Sequence, residues 1–158
     1  MTDHNTLRDA VATLPYGTCP LEDVGAAGQP SEESLARMAQ AGYRTLVDLR
    51  APEEPRGYDE AAAATRAGLR YVPIPVTQAT LDDAAFDRFR GMMRDPDNRP
   101  VLVHCASSNR VGALLLPYFL LDERRPMEEA VAMARGAGLR SPELAQMALD
   151  YARRRSAP

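Results

Sequence analysis

Short apolar runs alternate along this chain with segments whose apolar residues recur at helical spacing, and the alternation persists over most of its length. Val101, Leu102 and Val103 make one such run, bounded by a proline-containing turn, and read as a strand buried on both faces of a parallel sheet. Residues 45–49 read as a central strand and residues 21–27 as a short first strand ended by Gly28 and Pro30. Residues 69–76 read as a strand whose Pro73 and Pro75 suit an edge or a strand end.

The helical segments fall between these runs. Ser31 caps a helix with Glu32 and Glu33 in its first turn, Leu35, Met38 and Ala39 on one face, and Gly42 as its stop. Residues 58–67 form an alanine-rich helix closed by Gly68, and Thr80 caps another that carries Leu81, Ala85, Phe89 and Met92 on its buried face. The segment from Arg110 to about Asp122 is apolar nearly all round, which predicts a buried helix kinked by Pro117. Pro126 and Ser141-Pro142 start two more. Residues 1–20 hold a weak helical stretch, 7–14, and then Pro15, Gly17 and Pro20, which predicts an irregular lead-in. The order predicts one α/β domain over residues 1–158: a mostly parallel four- to five-stranded sheet, helices on both faces, and a helical C-terminal third. A chain of 158 residues is long enough to bury roughly 70% of its unfolded surface without disulfide or metal staples.

Charge and cysteine usage narrow the functional classes. A net charge of −3 gives no general attraction to nucleic acid, and the run Arg153-Arg154-Arg155 reads as a partner for a helix C-terminal dipole. Two cysteines, Cys19 and Cys105, cannot make a disulfide framework, and no apolar N-terminal run marks a signal peptide or a membrane span. These features predict a reducing, cytoplasmic setting, with Cys19 as a bystander thiol.

The candidate chemistry lies in His104-Cys105-Ala106-Ser107-Ser108-Asn109-Arg110-Val111, where a strand passes through a small polar loop into a helix. Backbone N–H groups of Ala106 to Val111 at a helix start make a cradle for an anion. A cysteine at its base has its thiolate stabilised by the helix terminus, by the hydroxyls of Ser107 and Ser108 and by Arg110, whose planar fork can grip two oxygens of a tetrahedral anion. His104 reads as a residue that orients the loop and tunes Cys105, although a satisfied core histidine would occupy the same place.

This loop resembles the active-site loop of cysteine-based protein phosphatases, most of all the bacterial phosphatase-like family found beside or fused to beta-lactamase-type hydrolases and related to dual-specificity phosphatases. Gly28-Gln29-Pro30-Ser31, then Thr45-Leu46-Val47-Asp48-Leu49-Arg50 with Glu53 and Glu54, then Gly68-Leu69-Arg70-Tyr71-Val72-Pro73-Ile74-Pro75-Val76, are similar to that family's N-terminal half in order and spacing. The resemblance implies a phosphatase-like hydrolase acting on a phosphorylated substrate without a metal or other cofactor, with Cys105 as nucleophile and Arg110 and the loop as phosphate holders.

Two departures keep other readings open. Tyrosine and dual-specificity phosphatases usually place five residues between cysteine and arginine, then a serine or threonine; here four intervene and Val111 follows. Four is the spacing of rhodanese-type sulfurtransferases, but the phosphatase-like bacterial family uses it too, so the count alone does not decide: a persulfide on Cys105 is the alternative, and a non-catalytic anion-binding pseudo-phosphatase is the third reading. The family's general acid is an aspartate on the loop after the preceding strand, but that loop here reads Thr77-Gln78-Ala79-Thr80. Asp82 and Asp83 are the nearest carboxylates, and Asp48, Glu53 and Glu54 are more distant alternatives. A glycine is usual where Ser108 stands, at a turn that needs positive φ.

Overall fold

The computed structural model describes residues 3–156, so residues 1–2 of the expected lead-in and residues 157–158 lie outside the described residues. Five strands form one sheet: β1 (Thr18–Leu21), β2 (Val24–Ala27), β3 (Thr45–Asp48), β4 (Arg70–Pro73) and β5 (Val101–His104). Their order is β1-β2-β5-β3-β4; β1 pairs antiparallel with β2, and every other neighbouring pair is parallel. The apolar run 101–103 thus becomes the middle strand. In register, His104 stands between Ala27 of β2 and Asp48 of β3. All four residues of β5 are buried, as a strand covered on both faces requires. β4 lies at an edge, where Pro73 disrupts no interior ladder.

Side-chain alternation splits the core in two. Leu46 and Leu102 face α1 (His4–Val11), α2 (Glu32–Ala41) and α3 (Glu60–Ala67), packing with Leu7, Val11, Leu35, Met38, Ala63 and Ala64. Val47, Val101 and Val103 face the other way, toward α4 (Asp83–Arg94), α5 (Asn109–Leu121), α6 (Met127–Gly136) and α7 (Pro142–Ser156), with Phe86, Phe89, Phe119 and Tyr151. Because α5 packs against both α6 and α7 as well as the sheet, it needs apolar residues around most of its circumference.

Three expectations need correction. The lead-in is ordered: Asp3 caps α1, and Leu7 and Val11 of that helix are fully buried. The expected single strand over residues 21–27 is instead the end of β1, a turn and β2, and the hairpin they belong to starts at Thr18; Pro20 is tolerated within β1 because that strand is an edge. The cap of α4 is Asp82, whose carboxylate accepts from the Ala85 N–H at 3.0 Å, while the Thr80 hydroxyl closes a turn with Thr77.

Candidate active site

The parallel strands β2, β3 and β5 bring their carboxyl ends to one edge of the sheet, and helix α5 starts there immediately beyond β5. Cys105, the first residue past β5, is 1% exposed and its N–H donates to Ala27 O. The loop then turns through Ser108, which adopts φ 67° and ψ 0°. A non-glycine residue seldom takes this conformation without local support. Here the support is a hydrogen bond from the buried Ser108 hydroxyl to Ala137 O at 2.6 Å. Gly138 lies against the other side: its φ is 119°, and a Cβ there would come within 2.7 Å of Ser108 O. Ser108 therefore fills the place where a glycine is usual, braced by the turn between α6 and α7.

The rest of the loop is tied at both flanks. A bridge joins Ser107 to Gly28, and a Cβ on Gly28 would sit 2.6 Å from Ala106 O, so the close approach requires glycine. The Asn109 side-chain oxygen accepts from the N–H groups of Arg140 and Ser141, at 2.8 and 3.2 Å. Arg140 also donates to Ser107 Oγ at 2.8 Å and lies over the Tyr16 ring, 5.5 Å from its centre.

Arg110, the second residue of α5, donates to Glu54 Oε2 at 2.8 Å, to Glu54 Oε1 at 2.9 Å and to Val76 O at 3.0 Å. The Glu54 carboxylate is the main cause that raises the Arg110 pKa above its ordinary value; burial opposes it, and the charge and hydrogen bond of Cys105 add to it. In return Arg110 holds the Glu54 carboxyl down at about 2, with help from the Ala51 N–H and Arg50. A cleft of about 590 Å³ opens over this pair, lined among others by Glu53, Glu54, Thr77, Gln78, Cys105, Ser107 and Arg110.

Behind the loop lies a buried polar network. His104 Nε2 is 2.5 Å from Glu60 Oε2 and 3.6 Å from Asp48 Oδ1, and its Nδ1 is 3.3 Å from Cys105 O. Gln29 donates to Glu60 at 2.6 Å and accepts from Arg50 at 2.8 Å; Arg50 in turn donates to Glu54 at 3.2 Å. A continuous path of hydrogen bonds thus runs from Arg110 through Glu54, Arg50, Gln29 and Glu60 to His104, the residue before Cys105. Asp48, Glu60 and His104 present ligand atoms within 4.8 Å of one another. Those atoms already have partners: Asp48 accepts from Arg56, Tyr71 and the Arg50 N–H, at 3.0, 2.6 and 2.9 Å, and Arg56 lies 3.6 Å from Glu60. The Arg56 guanidinium supplies the positive charge that a cation would bring.

The structure thus places Cys105, Ala106, Ser107 and Ser108 in a loop and Asn109, Arg110 and Val111 in the first turn of α5 directly after it, with His104 at the end of β5. Asp82 and Asp83 are not among the residues that line the cleft. Asp82 is the cap of α4, and Asp83 pairs with Arg154 at 2.5 Å. Sequence reasoning assigned no role to Gln29, Arg56, Glu60, Tyr71 or Arg140. Glu60 in particular reads as an ordinary first-turn carboxylate of an alanine-rich helix, and only the fold turns it toward His104.

Among curated proteins, the chain is 31% identical over 121 residues to the beta-lactamase hydrolase-like protein of Xylella fastidiosa, covering 74% of this chain and 28% of that protein. The chain therefore spans little more than a quarter of that relative's length. Among solved structures, a "Putative phosphatase" from Shewanella putrefaciens superposes with a TM-score of 0.78 at 22% identity, over 92% of this chain and 97% of the other. PTPMT1, solved in complex with PI(5)P, superposes with a TM-score of 0.73 at 12% identity, over 90% and 99%. Both structures share the fold. A family model described as a DSP-PTPase phosphatase fused to NAD+ kinase matches residues 24–149, which reach from β2 through the loop to α7. The chain belongs to this DSP-PTPase phosphatase family.

Proposed function

We propose that this chain hydrolyses phosphate monoesters through a cysteinyl-phosphate on Cys105. The observation that carries the reading is the placement of a buried cysteine at the start of the loop that leads into α5, with the Arg110 fork fixed beside it. The Cys105 sulfur attacks phosphorus while Arg110 and the loop N–H groups, set at the start of α5, hold the oxygens on which negative charge accumulates. Water then cleaves the S–P bond. His104, joined to Glu60 and to the Cys105 carbonyl, acts as a positioning residue for the loop. Ala106, Ser107, Ser108, Asn109 and Val111 shape the phosphate site.

The substrate in this reading is a phosphate monoester, and neither a nucleic acid nor a membrane partner is expected. Both cysteines are free, as a reducing, cytoplasmic setting would keep them, and among the described residues no helix is long and apolar enough to cross a membrane. The test is rapid acid quenching after mixing with ³²P-labelled aryl phosphate. Label should stay on the wild-type protein, on the peptide that contains Cys105, and be absent from Cys105→Ser; label on another residue, or none, contradicts the reading.

A second reading has one observation in its favour. Four residues between Cys105 and Arg110, with Val111 next, leave a small loop without a hydroxyl after the arginine, which suits a persulfide held by a sulfurtransferase. Turnover of thiosulfate by Cys105 without turnover of aryl phosphate would favour it. Binding of phosphate with neither activity would favour the pseudo-phosphatase.

A further inference from the structure

Resting on the phosphatase reading above, we infer that Glu53 is the general acid that protonates the leaving oxygen. The cleft over Cys105 is lined by two carboxylates, Glu53 and Glu54. Glu54 is committed: Arg50 and Arg110 donate to its Oε1, and the Ala51 N–H and Arg110 donate to its Oε2, so neither oxygen is free to face a leaving group. Asp48 lies behind the loop, bound by Arg56 and Tyr71. Asp82 and Asp83 are accounted for by the α4 cap and by Arg154. The loop Thr77-Gln78-Ala79-Thr80 reaches the cleft through Thr77 and Gln78 but brings no carboxylate.

Glu53 differs from all of these. It lines the cleft, is exposed, and takes no part in the ion pairs that hold Glu54, so its carboxyl is uncommitted. Its backbone is nonetheless fixed. Glu54, one residue on, is locked to Arg110, and Arg56 holds the same loop through the carbonyls of Arg50, Ala51 and Glu54, at 3.2, 3.4 and 3.0 Å. The clamp that orients the phosphate-holding arginine therefore also sets the acid in place.

The proton balance is simple. As the S–P bond forms and the P–O bond to the leaving group breaks, the Glu53 carboxylic acid gives its proton to the departing oxygen and becomes a carboxylate. In the second step that carboxylate takes a proton from water as the water oxygen attacks phosphorus; the S–P bond breaks, its electron pair returns to sulfur, and inorganic phosphate leaves.

The test compares wild type, Glu53→Gln and Asp82→Asn on phenyl phosphate, a poor leaving group, and on 2,4-dinitrophenyl phosphate, a good one. Glu53→Gln should lower kcat/KM on phenyl phosphate by about 10²–10⁴-fold, the usual worth of a general acid, and by less than about tenfold on the dinitrophenyl ester. Asp82→Asn should leave both within about twofold. An equal loss on both esters, or no loss on phenyl phosphate, overturns the role of Glu53 while leaving the Cys105 reading intact. If the wild type hydrolyses neither ester, or Cys105→Ser hydrolyses both, the phosphatase reading itself falls and Glu53 with it. An unchanged thermal midpoint for Glu53→Gln shows that its kinetic loss is not a loss of fold.

Discussion

Arg110 and Glu54 meet through two hydrogen bonds, 2.8 and 2.9 Å long, across the floor of the cleft that holds Cys105. The pair fixes the guanidinium before any substrate arrives and leaves its remaining N–H groups for phosphate oxygens. Glu54→Ala should free Arg110 to other rotamers and lower kcat/KM for an aryl phosphate by roughly tenfold to a hundredfold, because a mispositioned fork loses geometry rather than charge. Inhibition by vanadate, which also depends on the oriented fork, should weaken in parallel. Unchanged vanadate affinity in Glu54→Ala would show that Arg110 needs no such support.

The same pair gives a pH signature. With the Glu54 carboxyl at about 2 in the folded chain and about 4.3 when unfolded, its stabilisation is fully present above the unfolded value and is lost as pH falls through the folded one. At neutral pH it contributes no more than about 3 kcal/mol, since 26% of the side chain meets solvent. Glu54→Gln should therefore be less stable than wild type at pH 7, with the gap closing between about pH 4 and pH 2 in thermal melts.

Glu60 is the hub of the buried network, touching His104, Gln29 and Arg56. Glu60→Leu would leave a histidine, an amide and a guanidinium with missing partners, a change that costs about 3–5 kcal/mol when one member of a buried charged set is removed. Chemical denaturation should report that loss, and aryl phosphate activity should fall with it, because His104 directly precedes Cys105.

The sequence made the loop and its neighbours readable because each is encoded locally: an apolar strand, a short polar segment and an apolar helix around Cys105 and Arg110. The helix starts at Ser31 and Pro142 were equally local. What remained hidden depends on parallel pairing between distant strands. Asp48 and His104 are 56 positions apart and become neighbours only because β3 and β5 pair in that register. Glu60 and Gln29 reach the same spot from two further elements. Thr80 and Asp82 are both good caps two residues apart, so residue type alone does not choose between them, and the Thr77–Thr80 turn leaves the cap of α4 to Asp82. Pro20 concealed β1 because an edge position, which tolerates proline, cannot be known before the sheet is assembled.

Gly138 tests how the loop holds its shape. Its positive φ and the 2.7 Å that would separate a new Cβ from Ser108 O make Gly138→Ala both strained and crowded. A loss of about 1–3 kcal/mol is expected in denaturant melts. Phosphate should also protect the variant less against heating than it protects wild type, since the turn at Ser108 that shapes the anion site is displaced.

The role of Cys105 is the claim on which the rest depends, and one side-by-side assay addresses it: wild type and Cys105→Ser, each given p-nitrophenyl phosphate in one vessel and thiosulfate with cyanide in another. The expected result is nitrophenol release by wild type, loss of that release in Cys105→Ser to the buffer rate, and no thiocyanate from either. Thiocyanate formed by wild type without nitrophenol, or nitrophenol released equally by Cys105→Ser, would contradict it.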